Sequence, residues 1–225
     1  MLPRKLLALT GLLILCLAGG IAISQRSVVP VTVPLLAFNP SDCELPCVLG
    51  ITPGKTSEID AMTILDARTT YQNTIEPDYQ YQLNGDTQVQ PYIGVRYLDS
   101  DEPHTVYQIR VTTGYDQPLT TLGQLISAGH PINRVLLSRF MVGTPDDALM
   151  LFTFGPDEQL IAVATINDRV ALTSEISAIY SLGQQDRDLT IEMIRHRWGA
   201  NWELPWLGFA SVARYRQFAP GLWGQ

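Results

Sequence analysis

The sequence predicts an α+β fold: an N-terminal transmembrane helix or signal segment, then antiparallel sheet packed by two or three helices. Three observations carry this. Short apolar runs alternate on either side of turn-rich stretches, the pattern of half-buried strands. Two Ser/Thr-x-x-Asp/Gln patterns stand where capping boxes open helices. Helices and strands also do not alternate one for one, and a helix followed by a group of strands points to antiparallel rather than doubly wound sheet.

The chain has 225 residues, 46% hydrophobic and 16% charged, enough to bury a sizeable core. Its start reads Met-Leu-Pro-Arg4-Lys5, followed by an uncharged stretch from Leu6 to Ile23. As a helix, residues 6–23 would span roughly 27 Å, close to the hydrocarbon thickness of a bilayer. Arg4 and Lys5 hold the N-terminus in the cytoplasm and place the rest outside. Residues 1–24 are therefore read as a membrane anchor or signal segment. Ala22-Ile23-Ser24 has the small-x-small form of a cleavage site, so the chain would be secreted if cut there. The balance favours an uncleaved anchor. Cys16 follows Leu15 in mid-stretch, which is the wrong setting for lipid attachment.

Residues 25–42 carry Pro30, Pro34 and Pro40 among valines and form an extended spacer. Cys43 and Cys47 then bracket Glu44-Leu45-Pro46. In an oxidising compartment this pair closes into a local disulfide. A metal half-site is the sharper reading, but no second pair of ligands accompanies it, since His104, His130 and His196 are scattered singly.

A first module, residues 43–118, is expected to hold a helix and a hairpin. Pro53-Gly54 marks a turn, and Ser57 with Asp60 opens a helix ending near Arg68. Ile93, Val95 and Tyr97 alternate, as do Tyr107, Ile109 and Val111, on either side of an acidic turn. A second module, residues 119–186, opens with Thr121 and Gln124 in capping-box position and ends its helix at Gly129. Strands follow over about 134–142, 149–154, 160–166 and 176–182. The shared turn, cap and apolar helix suggest two diverged copies of one unit. Residues 187–225 supply a third helix, about Leu189 to Trp198, and an irregular or short-helical remainder.

Several chemistries are tested by these residues. Gly54-Lys55-Thr56 ahead of a helix looks like a phosphate-binding loop, but Leu49 stands where its first glycine belongs and Pro53 removes an amide donor. It reads as turn plus cap. Gly-x-Ser-x-Gly, Ser-x-x-Lys and His-Glu-x-x-His are all absent. The three histidines read as surface or capping residues. The carboxylates at Asp99/Asp101/Glu102, Asp146/Asp147 and Asp157/Glu158 fall in turns and read as solvated. No catalytic residue, metal ligand or cofactor site is assigned. The pI of about 4.9 and net charge of -7 exclude a nucleic-acid binder.

The C-terminal stretch stands apart. It holds all four tryptophans and five arginines against three acids, whereas residues 24–186 are strongly acidic. Two readings stay open. The tail packs on its own acidic body, or Trp202, Trp206, Arg214, Arg216 and Trp223 form a contact surface for an envelope protein or lipid headgroups.

The run Cys43-x3-Cys47-x2-Gly50-Ile-x-Pro-Gly54-x-Thr56 resembles a group of uncharacterised, membrane-anchored bacterial extracytoplasmic proteins. Thr121-Leu-Gly-Gln-Leu-Ile126, then Gly129-His-Pro131 and a strand, is similar to the same group. Helix, Gly-x-Pro, strand also resembles the SmpA/OmlA-type small lipoproteins, although a lipobox is missing. The resemblance implies an antiparallel α+β fold, an envelope location and a non-catalytic binding or scaffolding role. The competing class is an envelope hydrolase whose site is assembled from dispersed residues.

Overall fold

A computed structural model describes residues 43, 45–75, 78–83, 91–97, 104–113, 118–138, 147–184, 187–199 and 202–219. All of them belong to one compact unit, Val33–Gln225. The N-terminal segment, the spacer, the acidic residues 99–102 and 146, and Trp223 lie outside the described residues. Among the described residues no helix is long and apolar enough to cross a membrane.

The described residues open with the Cys43–Cys47 disulfide, Cα atoms 5.3 Å apart. Gly50 N–H donates to Cys43 Sγ (3.1 Å), and the Ser181 hydroxyl donates to the Pro46 carbonyl. The staple is thereby tied to the sheet. Helix α1 (Glu58–Arg68) starts where Ser57 Oγ accepts from the Asp60 amide. It buries only Ala61 and Leu65. Four strands follow: β1 (Thr69–Ile75), β2 (Asp78–Leu83), β3 (Tyr92–Tyr97) and β4 (Val106–Thr112). The short β5 (Thr120–Thr121) leads into α2 (Leu122–Ser127), whose capping box is complete: Thr121 and Gln124 each bond the other's amide. Then come β6 (Ile132–Leu137), β7 (Asp147–Phe154), β8 (Leu160–Asn167) and β9 (Glu175–Leu182). Helix α3 (Arg187–Trp198), strand β10 (Trp202–Pro205) and helix α4 (Val212–Gln217) complete the order.

All strands belong to one antiparallel sheet in the order β1-β2-β3-β4-β9-β8-β7-β6-β10, with β5 on β9. Each half is thus a helix followed by a four-stranded meander, and the two meanders meet through their last strands. The first half holds four strands rather than the expected hairpin. The β4–β9 pairing is centred on Arg110 opposite Tyr180. In each half the helix cap pairs with the start of the last strand: Ser57 with Thr105, and Thr121 with Glu175. The backbone bonds match as well, Glu58 N–H to the His104 carbonyl (2.8 Å) and Leu122 N–H to that of Ser174 (2.9 Å). The same sequence interval separates Thr105 from Glu175 and Arg110 from Tyr180, as a two-fold relation about the seam requires.

Alternate residues feed two cores, because successive strand side chains point to opposite faces. Ala148, Met150, Phe152 and Phe154 join a large core closed by Ala61 and Leu65 of α1, Leu122 and Leu125 of α2, and Val212 and Tyr215 of α4. Leu149 and Leu151 join a smaller one, with Ile161, Val163 and Tyr180, closed by Ile191 and Ile194 of α3. Covering on both faces explains why β7 is apolar almost throughout. At the seam the backbones of Gly54 and Gly183 touch. A Cβ on Gly183 would lie 3.0 Å from Gly54 N, so neither position accepts a side chain without movement. The Gly54 turn that resembles a phosphate loop is this junction.

Candidate functional site

The two cores are not sealed equally. Beside α3 the smaller one opens into a cleft of about 340 Å³. Its strand wall is built from Arg96 of β3, Gln108 of β4 and Tyr180 of β9. Arg96 stands opposite Gln108, and Gln108 opposite Leu182, in one cross-strand row. A bulge next to this row sets the geometry: Arg96 pairs with Gln108, whereas Tyr97 pairs with Val106, leaving Tyr107 as the extra residue. Val106 enters the large core in place of Tyr107, which breaks the alternation expected there. The helical wall consists of Met193, Ile194, His196 and Arg197.

The buried wall is polar. Arg96 is 8% exposed, Gln108 3% and Tyr180 1%. Tyr180 Oη accepts from Trp198 Nε1 at 3.1 Å, which leaves the phenol proton available for donation. Trp198 is fixed in turn by Ser138, whose hydroxyl donates to its carbonyl at 2.6 Å. Gln108 Oε1 is buried without a hydrogen-bond partner among the described residues. Leaving such an acceptor unpaired costs about 1–3 kcal/mol, so its position calls for an explanation. None of the described residues lining the cleft is acidic. Two arginines and a histidine thus stand among the described residues that line the cleft.

The tail residues singled out in the sequence are spread over several environments. Strand β10 adds Trp202–Pro205 to the sheet edge at β6. Trp202 and Trp206 are half-buried against the large core. Trp206 meets Phe152, Phe209 and Tyr215 with ring centroids 5.6–6.3 Å apart. Tyr215 Oη donates to the Gly208 carbonyl (2.9 Å) and accepts from the Leu207 amide (3.3 Å). Burial pushes its phenol up to about 12. Arg216 Nη2 donates to the Asp147 carbonyl at 2.9 Å. Arg214 is exposed and lines a shallow depression with Asp168, Arg169 and the partly exposed Phe209.

One carboxylate reading is corrected. Asp157 is exposed in its turn, but Glu158 is 1% exposed rather than solvated. Both its oxygens meet the Arg134 guanidinium, which also reaches Glu203 on β10. The hydrogen bond to Glu158 is the main cause that holds Arg134 above its usual pKa. A bidentate guanidinium offsets the cost of burying the carboxylate, and turn position alone does not disclose such a partner. The pair clamps the β7–β8 turn to the tail.

Among the described residues, the cleft beside α3 is lined by His196 and no carboxylate, and the depression near Arg214 by Asp168 and no histidine. No cluster of three or more His, Cys, Asp or Glu side chains suited to a metal occurs among the described residues. His104 Nδ1 lies 3.5 Å from Glu58 Oε2, a contact between the α1 start and the segment before β4. No protein-family model, curated protein or solved structure matches the chain. The cleft was missed in the sequence because its walls come from β3, β4, β9 and α3. The available signal was Arg96, Gln108 and Arg110 at alternate positions within otherwise apolar strands.

Proposed function

We propose that the chain is a non-catalytic binding module, tethered by residues 6–23 to a bacterial envelope membrane with its folded part outside the cytoplasm. The cleft beside α3 is its ligand site. The observation that carries this reading is the buried Gln108 side chain, with an unpaired acceptor, in a concave wall shared with Arg96 and Tyr180. Concave sites with a few convergent polar groups on an apolar lining are where small ligands bind. Among the described lining residues His196 has no carboxylate beside it to orient it as a general base, and this favours binding over hydrolysis. The uncharged N-terminal stretch and the Cys43–Cys47 disulfide support the address. The same reading takes the two helix-plus-meander halves as diverged copies of one unit.

Two measurements on the full chain test it. Protease added to spheroplasts, whose outer layers are opened, should digest the folded part while the cytoplasm stays protected. Digestion only after lysis would overturn the address. Incubation with ester, amide, phosphoester and glycoside substrates should give no turnover. Turnover that disappears in His196→Ala would make the protein a hydrolase and overturn the binding reading.

A further inference from the structure

We infer that the end of the sheet where the β8–β9 loop meets the tail lies against a membrane surface with anionic headgroups. The inference rests on the tether in the binding-module reading and adds a second contact, away from the cleft. Backbone bonds join loop and tail there: Val170 N–H donates to the Ala210 carbonyl (3.0 Å) and Val212 N–H to that of Asp168 (2.6 Å). Four large apolar side chains are exposed among the described residues, and three of them, Leu172, Phe209 and Phe218, stand on these two joined segments. Single exposed apolar residues are ordinary, whereas their gathering at one end marks a contact surface. Arginines stand between the phenylalanines. Arg169 Nε donates to the Phe209 carbonyl (3.2 Å), and Arg214 lines the same depression as Phe209. Phe218 follows Arg214 by one helical turn, so the two share the face of α4 that points away from the buried Val212 and Tyr215. Both arginines are exposed, and neither meets a carboxylate among the described residues. The partner of Arg169 is a neutral carbonyl, which leaves its charge uncompensated, and Asp168 is the one acid among the described residues that line the depression. Phenylalanine at the acyl boundary with arginine among the headgroups is how an interfacial surface holds a bilayer. On a chain of net charge -7, anionic lipid is repelled elsewhere, and contact is confined to this end.

The test places the full chain in nanodiscs of phosphatidylcholine alone or mixed with phosphatidylglycerol and follows hydrogen exchange over residues 168–174 and 206–219. Exchange there should be slower in the anionic discs, and the difference should shrink as salt rises, because exposed arginines act through screened charge. Arg169→Gln and Arg214→Gln should each lower the docked-to-free ratio about fivefold. Phe218→Ser should remove most of the protection, and none of the three should move the melting temperature, since these side chains are exposed. Equal exchange in the two lipids would overturn the inference; compensation of the arginines by Asp168, or by an acid outside the described residues, would give that result. Protection that appears only at raised protein density, or only when envelope proteins are added, would overturn it too, since the face would then belong to a second copy or to another protein. The tether is read separately, by whether alkaline carbonate leaves the full chain in its membranes. Release by carbonate would overturn the tether, and exchange with added vesicles of the same two compositions would still decide the contact.

Discussion

If the C-terminal tail is part of the fold, Tyr215 is where removing atoms should hurt most. Its side chain is fully buried in the large core beside Trp206, and its hydroxyl closes the Leu207–Gly208 turn from both sides. Tyr215→Ala deletes a large aromatic from a packed site, which typically costs ~3–5 kcal/mol in lost transfer energy and residual cavity. For a domain of this size each kcal/mol moves the melting midpoint by about 2–4 °C, so a fall of roughly 6–20 °C is expected. Tyr215→Phe keeps the ring and loses two hydrogen bonds, for about 1–2 kcal/mol. Differential scanning calorimetry of the full chain reads both. The two variants should also differ from the parent in alkali. Burial raises the folded phenol to about 12, against ~10 for an unfolded tyrosine. The unfolded state therefore loses this proton first. The stability contribution is complete below pH ~10 and is lost as pH rises towards about 12, so Tyr215→Phe should flatten that part of the pH profile. A Tyr215→Ala protein that melts within two or three degrees of the parent would refute the placement of the tail in the core.

Three further outcomes follow from individual contacts. Non-reducing peptide mapping should recover Cys43 and Cys47 linked. Replacing both by serine should cost about 2 kcal/mol in a denaturant titration while the fold persists, since the loop is short. Arg134→Met should cost ~3–5 kcal/mol, because it strands the buried Glu158 carboxylate, and it should expose the tail to limited proteolysis. Adding Glu158→Gln to that variant should recover part of the loss. Gly123→Ala should destabilise by roughly 1–3 kcal/mol in the same titration, as its Cβ would come within 2.8 Å of the Leu172 carbonyl oxygen; an unchanged midpoint would show that this loop yields freely.

Local rules made part of this fold legible and long-range rules hid the rest. Ser57 and Thr121 announce helix starts because capping is settled within four residues. The strands from β6 to β9 announce themselves through buried apolar runs. Strands β1 and β2 do not. Thr69–Ile75 and Asp78–Leu83 are dominated by threonine, glutamine and asparagine, and only Tyr79, Tyr81 and Leu83 alternate. β10 is four residues ending in Pro205, which reads as irregular until β6 is there to receive it. Glu158 illustrates the harder case. Its turn is plain from Gly155-Pro156-Asp157, but its burial depends on Arg134, which lies on the neighbouring strand β6, 24 residues earlier in the chain. A period of two says which residues share a face and nothing about which face a helix will cover.

That last point accounts for the cleft. On the face under α3, strands β6 to β9 present Leu136, Leu149, Leu151, Ile161, Val163, Ala178, Tyr180 and Leu182. Across the seam, the same face of β3 and β4 carries Gly94, Arg96, Gln108 and Arg110. Arg110 stands opposite Tyr180, and Gln108 opposite Leu182, so the change from apolar to polar occurs within one strand spacing. A helix docks only where its apolar stripe finds an apolar platform. Among the described residues α3 follows the second meander and has no counterpart after the first, so the two halves of the sheet are covered unequally on this face. Ile191 and Ile194 settle on the platform, while Met193, His196 and Arg197 stand at its border, above the polar row. A sheet built from two like halves thereby acquires one unlike edge. The buried polar groups of the first half, which would disturb a packed core, face a gap of ligand size there instead.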